Sequence, residues 1–107
     1  MQKLEVFQSL WAMEMRRPGY PERPMEQNFS MAAEAGYHGL CIYPAVHEIA
    51  DCLALKPLYR DYGLKCMVNA YPSTLDELAP LLDLAVEHEA CLFNYICQEF
   101  CGIGHAV

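Results

Sequence analysis

Lysine and arginine are scarce in this chain, seven against fourteen aspartates and glutamates over 107 residues, for a formal charge of −7. Only Arg16 and Arg17 are adjacent. A nucleic-acid footprint needs clustered cations to neutralise phosphates, so no nucleic-acid partner is expected. Long hydrophobic runs are missing as well: none approaches the roughly 18 apolar residues of a membrane span. The amino terminus, Met1-Gln2-Lys3-Leu4-Glu5-Val6, enters a strand pattern at once and shows no signal-peptide hydrophobic region. These absences predict a cytoplasmic protein without a membrane partner. There is no Gly-rich phosphate loop, low-complexity stretch or interdomain linker, so residues 1–107 read as one domain. A hydrophobic fraction of 54% is enough to build its core.

The six cysteines do not read as a disulfide framework. Cys41, Cys66 and Cys91 fall inside predicted strands and Cys52 on a predicted helix, where a reduced thiol behaves as a small hydrophobe. Cys97-x-x-x-Cys101-x-x-x-His105 is the one metal-like spacing, since a helix would bring the three side chains near one face for zinc. Gly102 and Gly104 oppose that helix and no fourth ligand has recognisable spacing, so no metal or cofactor is expected in this chain.

What is present is a strand-then-helix rhythm that recurs about every 27 residues. Strand patterns occupy Leu4–Leu10, Gly39–Tyr43, Leu64–Ala70 and Cys91–Cys97. Gly36 and Gly63 each end a helix in the left-handed conformation that glycine adopts cheaply, and a strand restarts within a few residues. A loop with three prolines spans Arg16–Pro24. The first helix is expected from about Met25 to Ala35, with Met25, Phe29, Ala32 and Ala33 as its apolar stripe. The second runs over Val46–Tyr62, kinked or split at Pro57. Thr74 and Glu77 fit a capping box for a third, with Leu75, Leu78, Leu82 and Ala85 inward and a bend at Pro80. Gln98–Val107 lacks periodicity and reads as a frayed or truncated tail.

Repeated units of this kind predict an α/β fold: a parallel sheet of about four strands, with three helices on one face. A closed (β/α)8 barrel needs roughly 250 residues, so the pattern is that of an incomplete, amino-terminal half. A small open-sheet sandwich uses the same grammar. Strand order separates the two, because a doubly wound sheet reverses at a switch point.

Strand carboxyl ends are where ligands of such folds bind. Trp11, Glu14, Tyr43, Asn69, Tyr71, Asn94 and Gln98 lie at or near them. Trp11, Tyr43, Asn69, Tyr71 and Asn94 are the substrate-binding candidates: aromatic rings offer flat faces for stacking, and amides pair with hydroxyls as donor and acceptor. The plainer readings are a core plug for Trp11, backbone satisfaction for the two asparagines and a solvated loop acid for Glu14. His88, in Glu87-His88-Glu89, reads as a solvated helix end. No catalytic residue is assigned.

The phrases Phe7-Gln8-Ser9-Leu10-Trp11-Ala12-Met13, Ala32-Ala33-Glu34-Ala35-Gly36-Tyr37-His38-Gly39-Leu40 and Tyr62-Gly63-Leu64, with the Asn94 strand, resemble the amino-terminal part of the sugar phosphate isomerase/epimerase family. That family belongs to the xylose isomerase-like TIM barrels. The resemblance implies a half TIM barrel from a carbohydrate-metabolism isomerase or epimerase acting on a sugar or sugar phosphate. In full-length relatives a divalent metal (Mn, Mg, Co or Zn) assists proton transfer beside the carbonyl. The family's metal ligands come mainly from later strands, so none is carried over and this chain alone is expected to be inactive. The other class of reading is a non-catalytic half-barrel module that associates with copies of itself through its open sheet edges.

Overall fold

The computed structural model describes residues 4–97. Four parallel strands, β1 (Phe7–Ser9), β2 (Gly39–Ile42), β3 (Lys65–Ala70) and β4 (Leu92–Tyr95), pair in the order β1-β2-β3-β4. The order is sequential, without the reversal of a doubly wound sheet. Between the strands lie α1 (Met25–Glu34), α2 (Ile49–Leu53), α3 (Lys56–Tyr62) and α4 (Leu75–Glu87), with 3-10 turns over Trp11–Met13 and Val46–Glu48. No helix among the described residues is long and apolar enough to cross a membrane.

Register decides which side chains share a face. Ser9 pairs with Cys41, Cys41 with Met67 and Asn69 with Asn94, so these residues lie on one side of the sheet. Leu40, Ile42, Cys66 and Val68 lie on the other. They form the core with Phe29 and Ala32 of α1, Tyr59 of α3 and Ala85 of α4. α1, α3 and α4 therefore meet the same face, and Cys52 of α2 packs against it as well. Parallel strands are normally covered on both, and here only one is covered among the described residues.

The strands are shorter than their apolar runs. The β1 pattern from Leu4 to Leu10 contracts to three residues, and the Val6 N–H bonds the His38 ring nitrogen Nδ1 at 3.0 Å instead of a ladder carbonyl. Cys91 stands just before β4 and is exposed. The second helical segment divides as its proline dictates: α2 ends at Leu53, and Pro57 sits in the first turn of α3, where its missing N–H is harmless. Four helices result where three are expected. Gly63 closes α3 at φ +64°.

α4 is continuous through Pro80, which removes a single backbone bond. Two details of this helix correct the sequence reading. The capping box does not form: Thr74 makes no side-chain cap, and the Glu77 carboxylate accepts the Ser73 N–H at 2.6 Å. The inward stripe is Leu81, Leu84, Ala85 and His88, while Leu75 and Leu82 face out. His88 is consequently not a solvated helix end. It is 7% exposed, and its ring stands edge-on to Tyr59 with Nε2 2.6 Å from the Cys52 carbonyl oxygen. Residues 98–107 lie outside the described residues, and with them the tail reading, Gln98, and the Cys101 and His105 of the zinc spacing. Cys97 itself is buried.

Candidate functional site

The carboxyl ends of the strands gather the five candidates into two groups. Asn69 ends the exposed-face row of β3 and Asn94 that of β4, and their register puts them side by side. The Asn94 Nδ2 donates to Asn69 Oδ1 at 3.1 Å. With Tyr71, Tyr95 and Ile96 they line a cavity of about 230 Å³. Asn69 also reaches the Cys41 thiol. Burial pushes that thiol above its ordinary pKa, partly offset by the amide's hydrogen bond. Cys41 Sγ lies 3.5 Å from Met67 Sδ, so soft sulfur atoms floor the face behind the amide pair. The pair is the carboxyl-terminal polar end of a face that also carries Cys41 and Met67. Hydrogen-bonded to each other, the two amides keep Oδ1 of Asn94 as an acceptor and Nδ2 of Asn69 as a donor, the complement of vicinal hydroxyls.

The second group sits on the helical side. Trp11 and Tyr43 line a cavity of about 360 Å³ together with Glu14, Glu48 and Asp51, floored by Ile42, Cys52 and Leu55. Trp11 is no core plug, being 57% exposed. Its ring is covered by the Arg16 guanidinium 3.9 Å from the centroid, and Arg16 also donates to the Trp11 carbonyl at 2.7 Å. A sugar stacking there would have to use the ring's other face or displace the arginine. Sequence spacing missed Glu48 and Asp51, because only the 3-10 turn after β2 carries them to the rim.

Those three acids do not suit a divalent cation. Glu14 is paired with Arg16 at 2.9 Å, and Glu48 accepts the Ala45 N–H at 3.0 Å. No group of three or more His, Cys, Asp or Glu among the described residues is arranged to hold a metal ion. The divalent metal that the resemblance implies therefore finds no donor set among the described residues, and no chemical step is derived through it.

The proline-rich loop that carries Glu14 is anchored. Both Glu22 carboxylate oxygens accept the Met15 N–H, at 3.0 and 3.1 Å, and one accepts the Arg16 N–H at 3.1 Å. These backbone donors hold the Glu22 carboxyl below the usual carboxylate range. Arg23 spans from the Met13 carbonyl at 2.6 Å to Asn28 Oδ1 at 3.0 Å, tying the loop to α1. Arg16 takes the left-handed region at φ +48°, held by these contacts.

The sheet thus separates Asn69 and Asn94 from the Trp11 and Tyr43 cavity, and the candidates do not form one pocket. No family model matches the chain, and neither a curated protein nor a solved structure matches it.

Proposed function

We propose that the chain is the amino-terminal half of a TIM-barrel protein of the sugar phosphate isomerase/epimerase kind. Its part in the site is to hold a polyhydroxylated ligand rather than to move its proton. The observation that carries this reading is the Asn69–Asn94 amide pair at the carboxyl ends of adjacent strands, on the face that the helices leave open. Sequential parallel order and a single helical layer are what four consecutive units of such a barrel produce. Amides recognise hydroxyls in both directions but do not shuttle protons at neutral pH. Glu14, the rim carboxylate nearest β1, is spent on Arg16.

The test is titration of the chain with ketoses, aldoses and their phosphates, following the Asn69 and Asn94 side-chain amide signals by NMR. Saturable shifts at both amides are expected, and Asn69→Ala or Asn94→Ala should weaken binding by about tenfold, the loss of one net hydrogen bond. Binding that ignores both substitutions, or no amide shift with any sugar, refutes the reading.

A further inference from the structure

Resting on the half-barrel reading, we propose that two copies of this chain close one eight-stranded parallel barrel. The β4 edge of each copy pairs with the β1 edge of the other, about a two-fold axis along the barrel. A rotation about that axis keeps every strand parallel, and the two joints it creates are identical. Four strands per copy then supply the eight at which a barrel interior is filled by side chains.

Several features of the chain favour this occupant. Among the described residues the edge strands of the sheet are Phe7-Gln8-Ser9 and Leu92-Phe93-Asn94-Tyr95, and neither carries a charge or a proline to blunt pairing. β4 is apolar as well as open: Leu92 and Tyr95 are about half exposed, as is Ile96 just beyond it. The apolar surface continues onto α4. Glu87 points toward α3, where it pairs with Lys56 at 3.7 Å. At about 100° per residue, Leu75, Leu82 and Val86 fall on the opposite flank, beyond the β4 edge. Val86 is 68% exposed. A second copy brings a parallel edge of matching direction and also encloses the uncovered face bearing Phe7, Cys41 and Met67.

Closure has a backbone signature. The Ile96 N–H bonds the Ala70 carbonyl at 3.1 Å, so by strand alternation the Tyr95 N–H points away from β3. Tyr95→Pro removes a donor that points away from β3 and that the joint requires. Tyr95→Lys leaves the backbone intact and places a charge at the same edge.

Sedimentation velocity at high micromolar concentration should give twice the 12.2 kDa chain mass. Amide exchange over Phe7–Ser9 and Leu92–Tyr95 should slow as concentration rises. Both variants should raise the dimer dissociation constant at least tenfold while keeping the parent circular dichroism. A monomer of native circular dichroism under these conditions overturns the second copy and leaves the half-barrel reading to the sugar titration. A dimer that tolerates both variants, or whose edge amides exchange as fast as in the monomer, overturns closure through these edges.

Discussion

The His88 ring stands edge-on to that of Tyr59, with centroids 5.4 Å apart at 72°, and locks the end of α4 to the middle of α3. Its Nε2 donates to the Cys52 carbonyl, which fixes the neutral tautomer and leaves Nδ1 buried without a partner among the described residues. Protonating Nδ1 would bury a charge with no acceptor. Burial, the largest effect, accordingly lowers the His88 pKa below 6.5, against the Cys52 hydrogen bond that raises it.

This sets the sign of a pH effect. Between the unfolded value near 6.5 and the lower folded value, the unfolded chain binds more protons, so stability falls as pH falls through that window. Above it the neutral ring's full contribution is present. Urea unfolding from pH 8 to pH 5 should show a loss no steeper than about 1.4 kcal/mol per pH unit for one proton. The slope should shrink in His88→Leu. An unchanged slope in the variant would assign the effect elsewhere.

The hydroxyl of Tyr59 donates to the Leu40 carbonyl at 2.9 Å inside the core. Burial drives its phenol pKa upward, so the hydroxyl stays protonated and donating at neutral pH. Tyr59→Phe keeps the ring contacts with Phe29 and His88 and removes the hydroxyl, with its bonds to the Leu40 carbonyl and the Cys66 thiol. A loss of about 1–2 kcal/mol is expected, because a buried carbonyl loses its partner. Thermal unfolding of the variant beside wild type measures it, and equal stability would show the bond to be dispensable.

Thiol chemistry follows burial as well. Cys66 is 3% exposed and burial pushes it up to about 12, while Cys52 is pushed to about 11. Both thiols are then almost wholly protonated at pH 8, and the thiolate is the reactive form. Peptide mapping after brief iodoacetamide treatment should find both residues unmodified in the folded chain and modified in urea. Rapid native labelling of Cys66 would mean that the core opens readily.

The strands, their parallel order and the glycine-ended helices were legible because each rests on local pattern: apolar runs, prolines and left-handed glycines. The inward face of α4 was not. Leu75, Leu78, Leu82 and Ala85 fit helical periodicity as well as Leu81, Leu84, Ala85 and His88 do, and only tertiary packing chooses between stripes one residue apart. The same shift hid His88. Asn69 and Asn94 could be placed at strand ends from spacing alone, but their mutual hydrogen bond depends on a register fixed by the whole sheet. The separation of Trp11 from the amide pair was equally out of reach, because it depends on the side of the sheet to which the Trp11 turn and Tyr43 are carried.

Gly39 gives the most local test of the sheet. It pairs with Phe7 on one side and Lys65 on the other, and a Cβ there would overlap both the Lys65 carbonyl oxygen and the Phe7 ring. The position needs glycine for space rather than for backbone freedom, since its φ is not in the left-handed region. Gly39→Ala should therefore destabilise the chain by about 3 kcal/mol, the upper end of overpacking. Phe7→Ala in the same molecule removes the ring but leaves the backbone carbonyl in place. Relief should be partial, and a double-mutant cycle in urea should return a coupling of about 1 kcal/mol, within the range for residues in contact. Complete rescue would show that the ring alone sets the requirement. A Gly39→Ala change within about 0.5 kcal/mol of wild type, the scale of an unremarkable surface substitution, would mean that β1 and β2 are not packed as closely as this register demands.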